Sequence, residues 1–122
     1  IRYIMNGTTL GYIKEMMENE VADNLKPLKA RIAPLVEKLE AAIAYVKEAA
    51  NQDMQDFLAR RLYDMTCEII MSLLILDDAS RAPELFEKSA NVYVRMTEGD
   101  CNGNAAYIMN FKAEELDSFK AL

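Results

Sequence analysis

Between Ile32 and Ala50, apolar residues recur at steps of four and three: Ile32, Val36, Leu39, Ile43, Val46 and Ala50, with Leu28 extending the series upstream. Such a stripe lies on one side of the chain only if the backbone is helical, and it needs a partner surface to cover it. The same spacing returns in Phe57, Leu58, Leu62, Met65, Ile69 and Leu73, on a helix expected over about 53–79. The run IIMSLLIL, Ile69 to Leu76, is apolar nearly all round, so this helix is expected to be central and contacted on several sides. A third stripe, Leu10, Ile13, Met17 and Val21, follows a start near Thr8, with Thr8 or Thr9 as its cap. No stretch alternates with period two for long enough to argue a strand.

The helix breakers divide the chain. Asn6-Gly7 is a turn dipeptide, and the residues before it end an earlier helix. Pro34 costs an internal hydrogen bond, which predicts a bend or a break of about a turn. Asn51 or Asp53 starts the next helix, and DDASRAP ends it, with Ser80 as the following cap and Pro83 in the first turn. A fourth helix is expected over about 83–98, with Leu85, Phe86, Ala90, Tyr93 and Met96 inward. GDCNGN, Gly99 to Asn104, reads as a loop. AAYIMNF extends the fourth helix only if the glycines are tolerated, and a short helix over about 113–120 closes the chain. Short connections place sequence neighbours antiparallel. The expected fold is therefore all-α: an up-and-down antiparallel bundle of about four main helices plus a short C-terminal helix.

The side-chain inventory speaks against chemistry. A chain of 122 residues is one domain, and its net charge of -6 repels phosphate, so neither nucleic acid nor an anionic membrane is an expected partner. The longest apolar run is far short of the roughly 20 residues a membrane-spanning helix needs. There is no His, which removes the commonest general base and metal ligand. Cys67 and Cys101 lack metal-ligand spacing. Cys67 reads as a small core hydrophobe in a reduced, cytoplasmic protein, with a Cys67–Cys101 disulfide as the alternative. Asp77 and Asp78 are adjacent and so point about 100° apart, a polar helix end rather than an acid–base pair. Arg60-Arg61 could clamp a phosphate or coenzyme A, but Asp56 and Asp64, each four residues from Arg60, favour i,i+4 ion pairs. Glu68 is paired with Arg61 on this reading. The six Tyr read as core-edge residues with wet hydroxyls rather than as a stacking platform, and the eight Met as core filler rather than a groove for a partner helix. No catalytic, cofactor-binding or metal-binding residue is assigned.

Two stretches carry a resemblance. IRYIMNGTTLGYIKE, Ile1 to Glu15, resembles the segment that follows the catalytic region in a bacterial branch of the acyl-CoA dehydrogenases. LLILDDASRAPELFEKSANVYVRM, Leu73 to Met96, resembles the extra helical domain those proteins carry at their C-terminus. The resemblance implies that residues 1–7 are the end of the preceding dehydrogenase core helix and its turn, and 8–122 a C-terminal helical bundle domain. Family members remove an α-proton from an acyl-CoA thioester with a Glu, in a motif like Ile-Tyr-Glu-Gly-Thr, and pass the β-hydride to FAD. That motif is absent here, and the resemblance places it upstream of Ile1. FAD is then expected in the full-length parent and not in this fragment. The chain itself is expected to be non-catalytic, structural or oligomerising, with the rest of the dehydrogenase and further copies of itself as partners. Two other readings are a free-standing helical interaction module and a small-ligand binder using the bundle interior.

Overall fold

Proline and asparagine set the element boundaries. The computed structural model describes residues 1–120 and orders them as α1 (Arg2–Met5), α2 (Thr8–Met17), a 3₁₀ turn (Asp23–Leu25), α3 (Lys26–Ala30), α4 (Ala33–Ala49), α5 (Gln52–Arg81), α6 (Pro83–Asn110) and α7 (Glu115–Lys120). No strand occurs among the described residues. Asn51 opens α5 by accepting the Met54 backbone N–H on its side-chain oxygen. Pro34 sits in the first turn of α4, where its missing N–H costs nothing, so the chain breaks at Arg31–Ile32. A single residue, Ala82, separates α5 from α6, because the residue before Pro83 is pushed out of the helical region.

The two longest helices pack most extensively on each other, and α4 lies against both. At 1.5 Å per residue, α5 runs about 45 Å. Its inward face, Leu58, Leu62, Met65, Ile69, Leu73 and Leu76, is buried, as is the α4 seam of Val36, Leu39, Ile43 and Val46. α2 covers one side of α4 and α5 through Ile13, and α1 adds Ile4 to the same core. No helix among the described residues is long and apolar enough to cross a membrane.

Several expectations need correction. GDCNGN is not a loop: α6 continues through it to Asn110, so AAYIMNF is helical. The seam of α6 is Ala90, Val94, Thr97, Cys101, Ala105 and Ile108, a run of small and polar residues that simple hydropathy passes over. Leu85 (70% exposed) and Met96 face solvent, not the core. Phe57 and two residues of the apolar run, Met71 and Leu74, are also largely exposed, because α5 is covered on fewer sides than expected. Val21 lies beyond α2, which ends at Met17. Neither Thr8 nor Thr9 caps α2. Gly7 is its N-cap in the left-handed conformation (φ 86°), and Asn6 accepts the Thr8 N–H at 2.9 Å. Ser80 does not cap α6: it donates to the Leu76 carbonyl and accepts the Ala22 N–H, tying the segment after α2 to α5. Ala50 is not in the seam but ends α4 in the left-handed region, φ 49°.

These geometries order the mutational costs. Leu62→Ala, in the fully buried seam, is expected to lose about 2–5 kcal/mol in urea unfolding, and Leu85→Ala less than about 0.5 kcal/mol. Ala50→Gly removes the left-handed penalty and should gain about 1 kcal/mol. The added Cβ of Gly103→Ala meets no atom within 4 Å, so that change should gain about 0.5–1 kcal/mol.

Candidate functional site

Three polar groupings stand out on the α5–α6 pair. The first lies inside the seam. Ser72 donates to Thr97 Oγ1 at 3.0 Å, and Thr66 donates back to the Leu62 carbonyl at 2.7 Å, so these buried hydroxyls are satisfied within the bundle. Cys101 is buried against the Met65 carbonyl, and burial with the Glu68 and Asp100 charges pushes its thiol up to about 12. Such a thiol is inert as a nucleophile at neutral pH. Both cysteines are free thiols, which removes the disulfide alternative.

The second grouping joins two acids. Glu68 on α5 and Asp100 on α6 lie close enough across the helix pair for a protonated carboxyl of one to bond the other. Burial, then the Asp100 bond and charge, then the Asp64 charge, push Glu68 up to about 7. The expected Arg61–Glu68 pair does not form, because seven residues along a helix is two turns, about 10 Å. Tyr93 flanks the acids, and burial followed by the Glu68 charge raises its hydroxyl.

The third grouping is a cleft lined by Phe57, Arg60, Arg61, Asp64, Asn104 and Tyr107, with a volume of about 460 Å³. Arg60 Nε meets Asp64 at 3.3 Å, the i,i+4 pair the spacing predicts, and Asp56 is taken by Gln52 instead. Arg61 lies with its guanidinium carbon 3.6 Å from the Tyr107 ring centre and donates to Asn104 Oδ1 at 3.0 Å. Below the cleft, Phe111 is buried between Phe57 and Tyr107, with ring centres 5.2 and 6.1 Å away. Tyr45 donates its hydroxyl to the Phe111 carbonyl, so this hydroxyl is not wet as expected. Sequence reasoning missed this cleft because Asn104 and Tyr107 lie in or beyond the stretch read as a loop.

The remaining sequence candidates lie outside these groupings. Asp77 pairs with Arg81, and the Asp78 backbone carbonyl accepts the Ala82 N–H. Of the eight Met, Met54 and Met65 are fully buried, while Met71, Met96 and Met109 are largely exposed. Among the described residues, no three metal-ligating side chains converge. A cavity between Met16, Val21, Leu73, Leu76 and Asp77 holds about 40 Å³, well below the roughly 300 Å³ of a small-molecule pocket.

All three groupings sit on an all-α helical bundle. Comparison with known proteins then fixes its kin. A family described as "Acyl-CoA dehydrogenase C terminal" matches residues 5–116, and the chain belongs to that family. The crystal structure of an acyl-CoA dehydrogenase family protein from Porphyromonas gingivalis is similar, with 33% identity and a TM-score of 0.82. The match covers 91% of this chain and 96% of that one. No curated protein matches the chain.

The acid pair gives a pH dependence with a definite sign. The groups around Glu68 are Asp64 from α5 and Tyr93, Asp100 and Cys101 from α6, with Lys38 of α4 near Cys101. The folded-state pKa of about 7 lies above the ordinary 4.5, so the stabilising contribution is complete below about 4.5 and is lost as pH rises through about 7. Glu68→Gln keeps a hydrogen-bonding partner for Asp100 without the charge. The variant should unfold at higher denaturant than the parent chain at about pH 8, and the gap should close on acidification.

Proposed function

We propose that this chain is the C-terminal accessory bundle of an FAD-dependent acyl-CoA dehydrogenase, structural or oligomerising in role, whose full-length parent oxidises acyl-CoA thioesters to 2-enoyl-CoA. Residues 1–7 are the end of the preceding core helix and its turn, and the domain expected over 8–122 is the bundle, its last two residues lying outside the described ones. The family match supports the parentage. The observation that carries the docking role is the surface of the first two helices. Ile4 and Ile13 anchor them to the bundle, while Ile1, Tyr3 and Tyr12 stay exposed, Tyr3 at 63%. On this reading the rest of the parent covers these side chains.

The residues here do not fit a flavin. The larger clefts lie open on the surface, and the more enclosed one between α2 and α5 holds about 40 Å³. FAD and the catalytic Glu therefore belong, on this reading, to the rest of the parent. Self-association has its own candidate surface: Leu85, Val92 and Met96 lie seven and four residues apart on the outer side of α6, all largely exposed.

The chain alone is expected to purify colourless and to oxidise no acyl-CoA. Yellow protein with dehydrogenase activity would overturn the supporting role. Sedimentation should show a self-associating species that Val92→Lys converts to monomer, and a wild-type monomer throughout the micromolar range would remove the oligomerising half.

A further inference from the structure

Resting on the oligomerising reading above, we infer that two copies of this chain pair through the outer face of α6. The two helices run antiparallel about a two-fold axis, with the first half of each seated on the second half of the other. Leu85, Val92, Gly99 and Ala106 recur every seven residues along α6, and all four are exposed. Seven residues are nearly two whole turns, so the four share one stripe. Its halves differ. Leu85 and Val92 stand out from the helix, each 70% exposed, while Gly99 has no side chain and Ala106 only a methyl. The four positions are symmetric about the point between Arg95 and Met96. Turning a second α6 end for end about that point sets Leu85 on the other copy's Ala106 and Val92 on its Gly99. The same turn places Lys88 over Gly103, Ser89 beside Asn102 and Met96 along the stem of Arg95. Large residues meet small or flexible ones, and each contact occurs twice, as an isologous interface requires.

The surroundings of the stripe favour a second copy as its occupant. Gly99 and Gly103 serve no purpose within the chain: neither has a positive φ, and a Cβ on either would meet no atom within 4 Å. Each weakens the helix relative to alanine, and what each permits is the close approach of another backbone. Beside Ala106, α4 and α6 form an open groove of about 340 Å³ lined by Lys38, Ala41, Asn102, Ala105, Ala106 and Met109. Its two polar side chains are tied to each other, Lys38 donating to Asn102, so the surface left for a guest is apolar. Leu85 of the other copy arrives at this groove. Glu84 lies five whole turns before Asn102, and so on the α4 side of α6, which brings it level with the other copy's Lys38. A carboxylate beside that ammonium is the charge complement an acidic chain needs to meet itself. The two Arg95 come near the axis, a like-charge contact that weakens the pair. From Leu85 to Ala106 the stripe is about 32 Å long and one helix wide. That is the small end of specific interfaces, so the pair exchanges with monomer in the micromolar range.

The test combines cysteine cross-linking with sedimentation of the chain. Leu85→Cys and Ala106→Cys are made separately in a Cys67→Ser background, Cys101 being buried, and are mixed under mild oxidation. The mixture should give a mixed disulfide dimer severalfold in excess of the like–like products of either chain alone. Gly99→Val adds a Cβ that meets nothing inside the chain, so it folds, and it should weaken self-association by about tenfold or more in sedimentation. Adding Val92→Ala to Gly99→Val sets a large residue on a small one again and should recover most of that loss. Leu85→Cys chains that link mainly to one another would mean a parallel pair and overturn the proposal, as would an unchanged affinity in Gly99→Val. Dimers that form without the mixed product would put the contact on another face, overturning the antiparallel α6 pair while leaving the oligomerising role in place. A monomer throughout the micromolar range would remove both.

Discussion

The contact between α5 and α6 organises everything else in this bundle. A one-residue link and a proline fold two helices of 30 and 28 residues back on each other, and their shared seam is the most extensive helix–helix contact in the bundle. The seam is asymmetric. α5 contributes large side chains, Leu62, Met65, Ile69 and Leu76, and α6 contributes mainly small ones, Ala90, Thr97, Cys101 and Ala105. Large against small is how facing layers interdigitate without voids. The price is that α6 has little hydrophobic signal of its own, so its place depends on α5.

That dependence explains which parts of the fold were legible in the sequence. The seams of α4 and α5 were readable because Leu, Ile and Val repeat at heptad spacing. The Pro34 break and the Asn51 start were readable because their chemistry is local. The C-terminal half of α6 was not. Gly99 and Gly103 each disfavour a helix, and Asn102 and Asn104 favour turns. Burial of Cys101, Ala105 and Ile108 against neighbouring helices overrides those preferences. Local propensity amounts to about a kilocalorie per glycine, and several buried side chains outweigh it. Leu85 and Met96 misled in the opposite direction: they are apolar but face water.

The polar groupings follow the same logic. Arg60–Asp64 is an i,i+4 pair and could be read from spacing alone. The Glu68–Asp100 contact and the Arg61–Asn104–Tyr107 stack both need the register of α6 on α5, which lies in the misread stretch. Family membership, by contrast, was visible in two stretches of text, Ile1 to Glu15 and Leu73 to Met96, and the family match over residues 5–116 takes in the first from Met5 onward and the whole of the second. A domain whose buried hydroxyls are satisfied internally and whose buried thiol is held neutral has its polar groups committed to packing.

Native-state hydrogen exchange over residues 97–108 tests the central claim most directly, because those amides are protected only if α6 is continuous and seated on α5. Protection matching that of Leu62 to Leu76 is the predicted result. Rapid, loop-like exchange through Gly99 to Asn104 would contradict the seam and, with it, both cross-helix groupings built on it.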